Sequence, residues 1–142
     1  MSVKIRRGMG SDSDIICRLA DQLIHLDDRR RRSIMLRESF IDQRHDLFVA
    51  ETGEKVVGFV ETLTFPDFVE GFPIAIIQNL VVDKENRRKG IGNELLAHAI
   101  EKLRGRGVKE LHAWTDLENE PAMRLYLKHG FIRRALLLEK EI

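Results

Sequence analysis

Ile74-Ala75-Ile76-Ile77-Gln78-Asn79-Leu80-Val81-Val82 is the stretch that most constrains what this chain can fold into. It is an almost unbroken apolar run of strand length, rich in β-branched residues, with no alternation to set one face in water. That pattern predicts a central strand covered on both faces, which requires helices above and below a sheet. The next residues sharpen the point. Asp83 to Lys89 is a polar connection into GIGNELLAHAIEKLRGRG, where Ile91, Leu95, Leu96, Ala99, Ile100 and Leu103 recur at helical spacing and a glycine closes the run.

The remaining elements arrange themselves around that strand. Ser2 to Arg7 reads as a short strand, and GMGSDSD as a turn and cap before Ile15, Ile16, Leu19, Leu23, Ile24 and Leu26 at helical spacing. Ser33 is a candidate cap for a second helix carrying Ile34, Leu36, Phe40 and Ile41. DLFVAET and KVVGFVETLTF, joined through Gly53-Glu54, form a hairpin, and Pro66 to Pro73 is a Gly- and Pro-punctuated loop. VKELHAWT is a strand, NEPAMRLYLKHG a capped helix closed by Gly130, and FIRRALLLEKEI a returning strand. The order βααβββαβαβ, with hairpins in the middle and βα units at the end, predicts a mixed, mostly antiparallel sheet of the α+β class flanked by helices on both faces.

The chain has 142 residues, expected to form a single domain over 1–142. Lys+Arg total 24 against 23 Asp+Glu, a balance that argues against a nucleic-acid binder. The lone cysteine, Cys17, excludes an internal disulfide or a cysteine-rich metal site and sits among apolar helix residues as a small hydrophobe. No apolar stretch approaches a membrane span and the N-terminus lacks a signal-peptide core, so the expected location is cytoplasmic.

The chemistry concentrates in Asn79 to Asn93. A buried strand feeds a polar loop, then Gly90 and Gly92, then a long helix. The first turn of a helix has free N–H groups and the positive end of its dipole, and glycines there let an anion approach the backbone. Arg87, Arg88 and Lys89 add three positive charges, as for a di- or triphosphate-bearing ligand. A P-loop would need Lys-Ser/Thr where Asn93-Glu94 stands. A dinucleotide fingerprint would need a third glycine near Leu95. The plain structural alternative is a tight strand-to-helix turn with a solvated basic rim.

Arg87-x-x-Gly90-x-Gly92 after an apolar strand resembles the acyl-CoA signature of the GNAT superfamily of N-acetyltransferases. Asn119-x-x-Ala122-x-x-Leu125-Tyr126-x-x-x-Gly130-Phe131 resembles the later block of the same family, at the matching distance. The resemblance implies a GNAT-like fold with a ββ hairpin core, a β-strand–CoA loop–helix unit and a βαβ end. It implies that the backbone of Leu80, Val81 and Val82 pairs with the pantetheine amides. The N–H groups around Arg88, Lys89, Gly90, Ile91, Gly92 and Asn93 would hold the pyrophosphate, and Asn119 would touch the cofactor. Tyr126, the only tyrosine, matches the residue near the thioester sulfur. A thiolate leaving group needs a donor, which a neutral phenol supplies; on the residues alone, core packing is the competing role.

The proton acceptor is less legible. The family's glutamate on the strand before the CoA loop has no counterpart in Ile74 to Asn79. Ordered water is the default base, with Glu61 and Glu70 as substitutes and His25, Asp27 and Asp28 behind them. His112 reads as a strand residue that is packed or hydrogen-bonded rather than catalytic. Arg29 to Arg32, lacking interleaved aromatics, reads as a solvated run, in a segment that the resemblance implies helps shape the acceptor site. The resulting expectation is an acetyl-CoA-dependent N-acetyltransferase acting by direct transfer to a primary amine, without a metal. Its partners would be acetyl-CoA and an amine acceptor, with a homodimer expected and no membrane. The alternatives are a non-catalytic acyl-CoA-binding module of the same fold and a nucleotide-binding protein.

Overall fold

The computed structural model describes residues 2–142. Five strands form one sheet in sequential order: β1 (Lys4–Arg7), β2 (His45–Thr52), β3 (Lys55–Asp67), β4 (Phe72–Val82) and β5 (Glu110–Ala113). The first four pair antiparallel, and β5 joins β4 in parallel, so the sheet is mixed and mostly antiparallel as expected. Alternation along the strands divides the core into two layers. Leu47, Val49, Phe59 and Val81 face Ile16, Cys17 and Leu19 of α1 (Ser13–Ala20) and Leu36 of α2 (Arg29–Ile41). Phe48, Ala50, Val57, Val60 and Ile77 face Ile91, Leu95, Leu96 and Ala99 of α3 (Ile91–Gly105) and Tyr126 of α4 (Glu120–Lys128). The apolar run of β4 is thus buried on both sides, its Ile74 to Ile77 all among the buried residues.

Four expectations change. The segment FIRRALLLEKEI forms no strand: residues 131–142 carry no regular secondary structure. A strand exists only as part of a ladder, and this chain brings no neighbour alongside it. The Pro66–Pro73 loop is instead the end of the β3–β4 hairpin, with Pro66 opposite Pro73 and only residues 68–71 at the tip. The first helix stops at Ala20, leaving Leu23 and Ile24 exposed. The second helix begins four residues before Ser33: Asp28 is its cap, its carboxylate accepting from Arg30 N–H at 3.0 Å. Aspartate is as good a cap as serine, and arginine is a good helix former, so the basic run becomes the first turn.

Candidate active site

The site is built where β4 parts from β5. The parallel pairing stops after Ile77↔Ala113, whereas β4 continues to Val82 with only β3 beside it. A bulge marks the parting: Glu61 faces Asn79, Thr62 faces Ile77, and Gln78 is left over. From Gln78 to Val82 the β5 side of β4 therefore has no strand partner, leaving a row of backbone groups with hydrogen-bonding capacity along an open gap. Leu80, Val81 and Val82, the expected pantetheine contacts, all lie on this row. Their side chains point into the core, Val81 towards α1 and α2, Leu80 and Val82 towards α3 and α4.

The row runs directly into the anion-binding turn. After a short 3-10 turn at Lys84–Asn86, Arg88 adopts φ 63° and Gly90 φ 80°, both left-handed, and α3 starts at Ile91. Such a reversal swings the N–H groups of the following turn outward. The first intrahelical bond runs from Glu94 N–H to Gly90 C=O, so the N–H groups of Ile91, Gly92 and Asn93 are left to other partners. A Cβ on Gly90 would meet nothing within 4 Å, since that side opens outward, while one on Gly92 would touch Leu125 of α4 at 3.4 Å. Space for an anion and donors to hold it coincide here.

The basic triplet divides by role. Arg87 donates through Nε to Val82 C=O at 3.1 Å and through Nη2 to Gln22 at 3.4 Å, which ties the loop to the end of β4 and to the segment after α1. Lys89 only approaches Asn86, at 3.5 Å, and Arg88 has no side-chain partner among the described residues. Asn93 Oδ1 accepts from His129 Nε2 at 2.9 Å, fastening α3 to α4. Asn119 spends its Oδ1 on Ala122 N–H as the cap of α4, leaving its amide nitrogen as the group able to reach a ligand.

Tyr126 lies on α4 where that helix packs against the first turn of α3. Its ring is buried and tilts against Phe131, centroids 5.2 Å apart. Its hydroxyl makes no hydrogen bond to the protein among the described residues. Burial pushes the phenol up to about 12, so it stays a proton donor through the physiological range.

On the opposite face of the sheet, a cleft of about 250 Å³ lies between α1, α2 and the strands. Ile16, Leu36, Leu47 and Phe59 give it apolar walls, and Glu61 and Asn79 close it at the bulge. Glu61 is the only carboxylate lining it. Its Oε1 accepts from Asn79 Nδ2 at 2.9 Å, and His45 Nε2 lies 3.5 Å from its other oxygen and 2.6 Å from Gln78 Oε1. Arg32 also borders the cleft, but its guanidinium is committed to Asp21, to Cys17 C=O at 3.3 Å and to Ile24 C=O at 2.6 Å. It braces α1 to α2. Arg29 joins Asp21 at 3.0 Å, whose carboxyl these arginines, Arg32 foremost, hold below the usual range.

The other carboxylates and histidines from the sequence are elsewhere. Glu70 is at the exposed hairpin tip, Asp28 is a helix cap, His25 and Asp27 face one another in solvent at 3.4 Å, and His112 meets Glu110 at 2.8 Å on β5. The bulge and the His45–Glu61–Asn79 cluster are the parts that spacing did not show. His45 and Asn79 are 34 positions apart, and only the strand register joins them.

Comparisons with known proteins agree with this geometry. The acetyltransferase (GNAT) family profile matches residues 16–131. An uncharacterised N-acetyltransferase of Methanocaldococcus jannaschii is 35% identical over 59% of this chain and 38% of its own length. The mycothiol acetyltransferase of Thermomonospora curvata is 34% identical over 63% of this chain and 29% of its own. The chain thus spans well under half the length of these relatives. Among solved structures, a transcriptional regulator from Bacillus halodurans superposes with a TM-score of 0.86 at 26% identity, covering 99% of this chain and 100% of that one. An aminoglycoside acetyltransferase from a soil metagenome has the same fold, TM-score 0.84 at 20% identity, over 100% of this chain and 99% of its own. A family match over residues 16–131, most of the chain, leaves one reading: the chain belongs to the acetyltransferase (GNAT) family.

Proposed function

We propose that this protein moves an acetyl group from acetyl-CoA directly to a primary amine, with both substrates bound at once. The observation that carries the proposal is the continuity of the unpaired β4 edge, Gln78 to Val82, with the free N–H groups of Ile91, Gly92 and Asn93. A pantetheine arm can add along that edge as a strand would, while the pyrophosphate meets the first turn of α3. Arg88 and Lys89 supply the exposed positive charge beside it.

The acceptor enters from the α1–α2 face. An apolar cleft whose one carboxylate is Glu61 suits a primary amine on an apolar body: the ammonium pairs with the carboxylate while the body covers Ile16 and Phe59. Glu61 takes the proton, replacing the water that the sequence alone would assign. The neutral amine then attacks the thioester carbonyl, the carbon–sulfur bond breaks, and Tyr126 gives a proton to the departing thiolate. The names of two relatives, the N-acetyltransferase of Methanocaldococcus jannaschii and N-acetyltransferase 8 of Homo sapiens, support nitrogen as the acceptor.

A panel of primary amines incubated with acetyl-CoA and the protein, with free thiol and acetylated product both measured, tests this. Apolar monoamines are expected to release thiol in step with product. Tight acetyl-CoA binding with no amine acetylated would favour an acyl-CoA-responsive binding module, a reading that the similarity to a transcriptional regulator keeps in play.

A further inference from the structure

The bulge in β4 does more than open the gap. Side chains alternate along a strand, so of Gln78 and Asn79 only one would ordinarily face α1 and α2. The extra residue brings both to that side. There Asn79 meets Glu61 and Gln78 meets His45. Alternation puts those two partners on the same face, since Glu61 follows Phe59 by two positions and His45 precedes Leu47 by two, and Phe59 and Leu47 pack on α1 and α2. Side chains of β2, β3 and β4 are thereby laced together over one carboxylate.

Glu61 is held from both sides. Its Oε1 accepts from Asn79 Nδ2 at 2.9 Å, and His45 Nε2 lies 3.5 Å from Oε2. The same ring nitrogen is anchored on Gln78 Oε1 at 2.6 Å, and that contact with a carbonyl oxygen assigns the ring proton to Nε2. Both side chains are mostly buried, His45 15% and Glu61 13% exposed. The other ring nitrogen, Nδ1, is buried without a hydrogen-bond partner among the described residues. Asp42 Oδ2 is 3.8 Å from it, too far to bond, and that oxygen accepts from Arg44 at 3.0 Å. An unpaired buried nitrogen costs stability, which an apolar side chain of similar size would avoid. What the imidazole supplies, and leucine could not, is one N–H between Gln78 and Glu61.

We infer that His45 is a positioning residue for acetyl transfer: its Nε2–H, anchored on Gln78, holds Glu61 with Oε2 aimed at the amine in the cleft. The inference rests on the reading of Glu61 as the base and adds what keeps that base aimed. A carboxylate on a flexible stem has several rotamers, and a general base works only in the one that reaches the proton it takes. Asn79 fixes one oxygen and leaves the group free to swing about that bond. A second contact, from the opposite strand, fixes the other.

Two amide side chains separate the ring nitrogens: His45→Gln carries an N–H near the place of Nε2, and His45→Asn carries one near Nδ1. Each is assayed with acetyl-CoA and hexylamine, alone and combined with Glu61→Gln, after thermal melts show it folded. His45→Asn should lower kcat by roughly ten- to a hundredfold, as for a misaimed group, and leave the KM for acetyl-CoA unchanged. His45→Leu, which fits the packing and has no donor, should behave in the same way. His45→Gln should recover most of the loss. On top of Glu61→Gln, His45→Asn should cost nothing further, because it acts only through the carboxylate. Equal losses in His45→Gln and His45→Asn, a native rate in His45→Asn, or a loss that multiplies that of Glu61→Gln would each overturn the inference while leaving Glu61 as the base. A Glu61→Gln enzyme as fast as the native one is a different failure: it removes the base itself, and the role of His45 with it.

Discussion

Two side chains on opposite faces of β4 divide the proposed chemistry. Tyr126 is buried enough to hold its proton, and its hydroxyl makes no bond that would tie it up. Tyr126→Phe keeps the packing on Phe131 and is expected to leave acetyl-CoA affinity unchanged while slowing transfer by ~10²-fold, as for a lost acid. Stopped-flow thiol release under single-turnover conditions checks this; a wild-type rate would make Tyr126 a packing residue. Glu61→Gln preserves the bond from Asn79 and removes the charge. Its expected effect is a fall of ~10²-fold in kcat/KM for cationic amines at neutral pH, with the loss shrinking as the pH rises and more amine is neutral. His98 gives a separate readout at this scale. It packs edge-on to Phe48 at 4.6 Å, and burial, with Lys102 and Arg7 nearby, holds its imidazole below the usual value. The unfolded chain therefore binds that proton more readily, and stability should fall as pH drops below about 6.5. Thermal melts of His98→Gln should lack that component of the slope between pH 7 and 5.5.

Among the elements, the loop entering α3 makes a distinction the sequence could not. Arg87, Arg88 and Lys89 read as one basic cluster, yet Arg87 is fastened to Val82 C=O while the other two point outward. Arg88→Gln/Lys89→Gln should weaken acetyl-CoA more at low than at high ionic strength, because exposed charges are screened. Arg87→Gln should weaken it equally at both, because its work is positional. Titration calorimetry at two salt concentrations separates the cases. Gly90→Val forces a branched side chain into the left-handed region, at φ 80°, and fills the open side of the turn; binding should be lost from a folded protein. Elements with strong local signals were legible: the apolar run of β4, the 3.6-residue stripe of α3, and the Asn119 cap of α4. The start of α2 was misread because Asp28 and Ser33 are both competent caps, and the choice rests on Asp21 lying where it can offset Arg29 and Arg32. Four arginines in a helix's first turn oppose its dipole, so Asp28→Ala should cost about 1 kcal/mol in a denaturant melt.

At the scale of the whole molecule, the site is a consequence of sheet topology. One parallel strand added to an antiparallel sheet diverges from β4 at a bulge, and the divergence leaves the gap proposed here for both substrates. The sequence showed the residues on each side of that gap and offered Glu61 only beside Glu70 as a substitute for water, since a bulge and a strand register are long-range properties. It also promised a final strand that one chain does not complete, for the same reason: edge pairing depends on what lies beside the edge. Buried charge holds the far end of the sheet, where Asp46 is almost fully buried between Arg7, at 2.9 Å, and Arg106, at 2.8 Å. Amide hydrogen exchange, with and without acetyl-CoA, examines the proposed path of the ligand most directly. Protection should appear in the peptides covering residues 79–82 and 88–93, with the hairpin tip at 68–71 unchanged. Binding that protects other segments and leaves both of these untouched would contradict the placement of acetyl-CoA along β4.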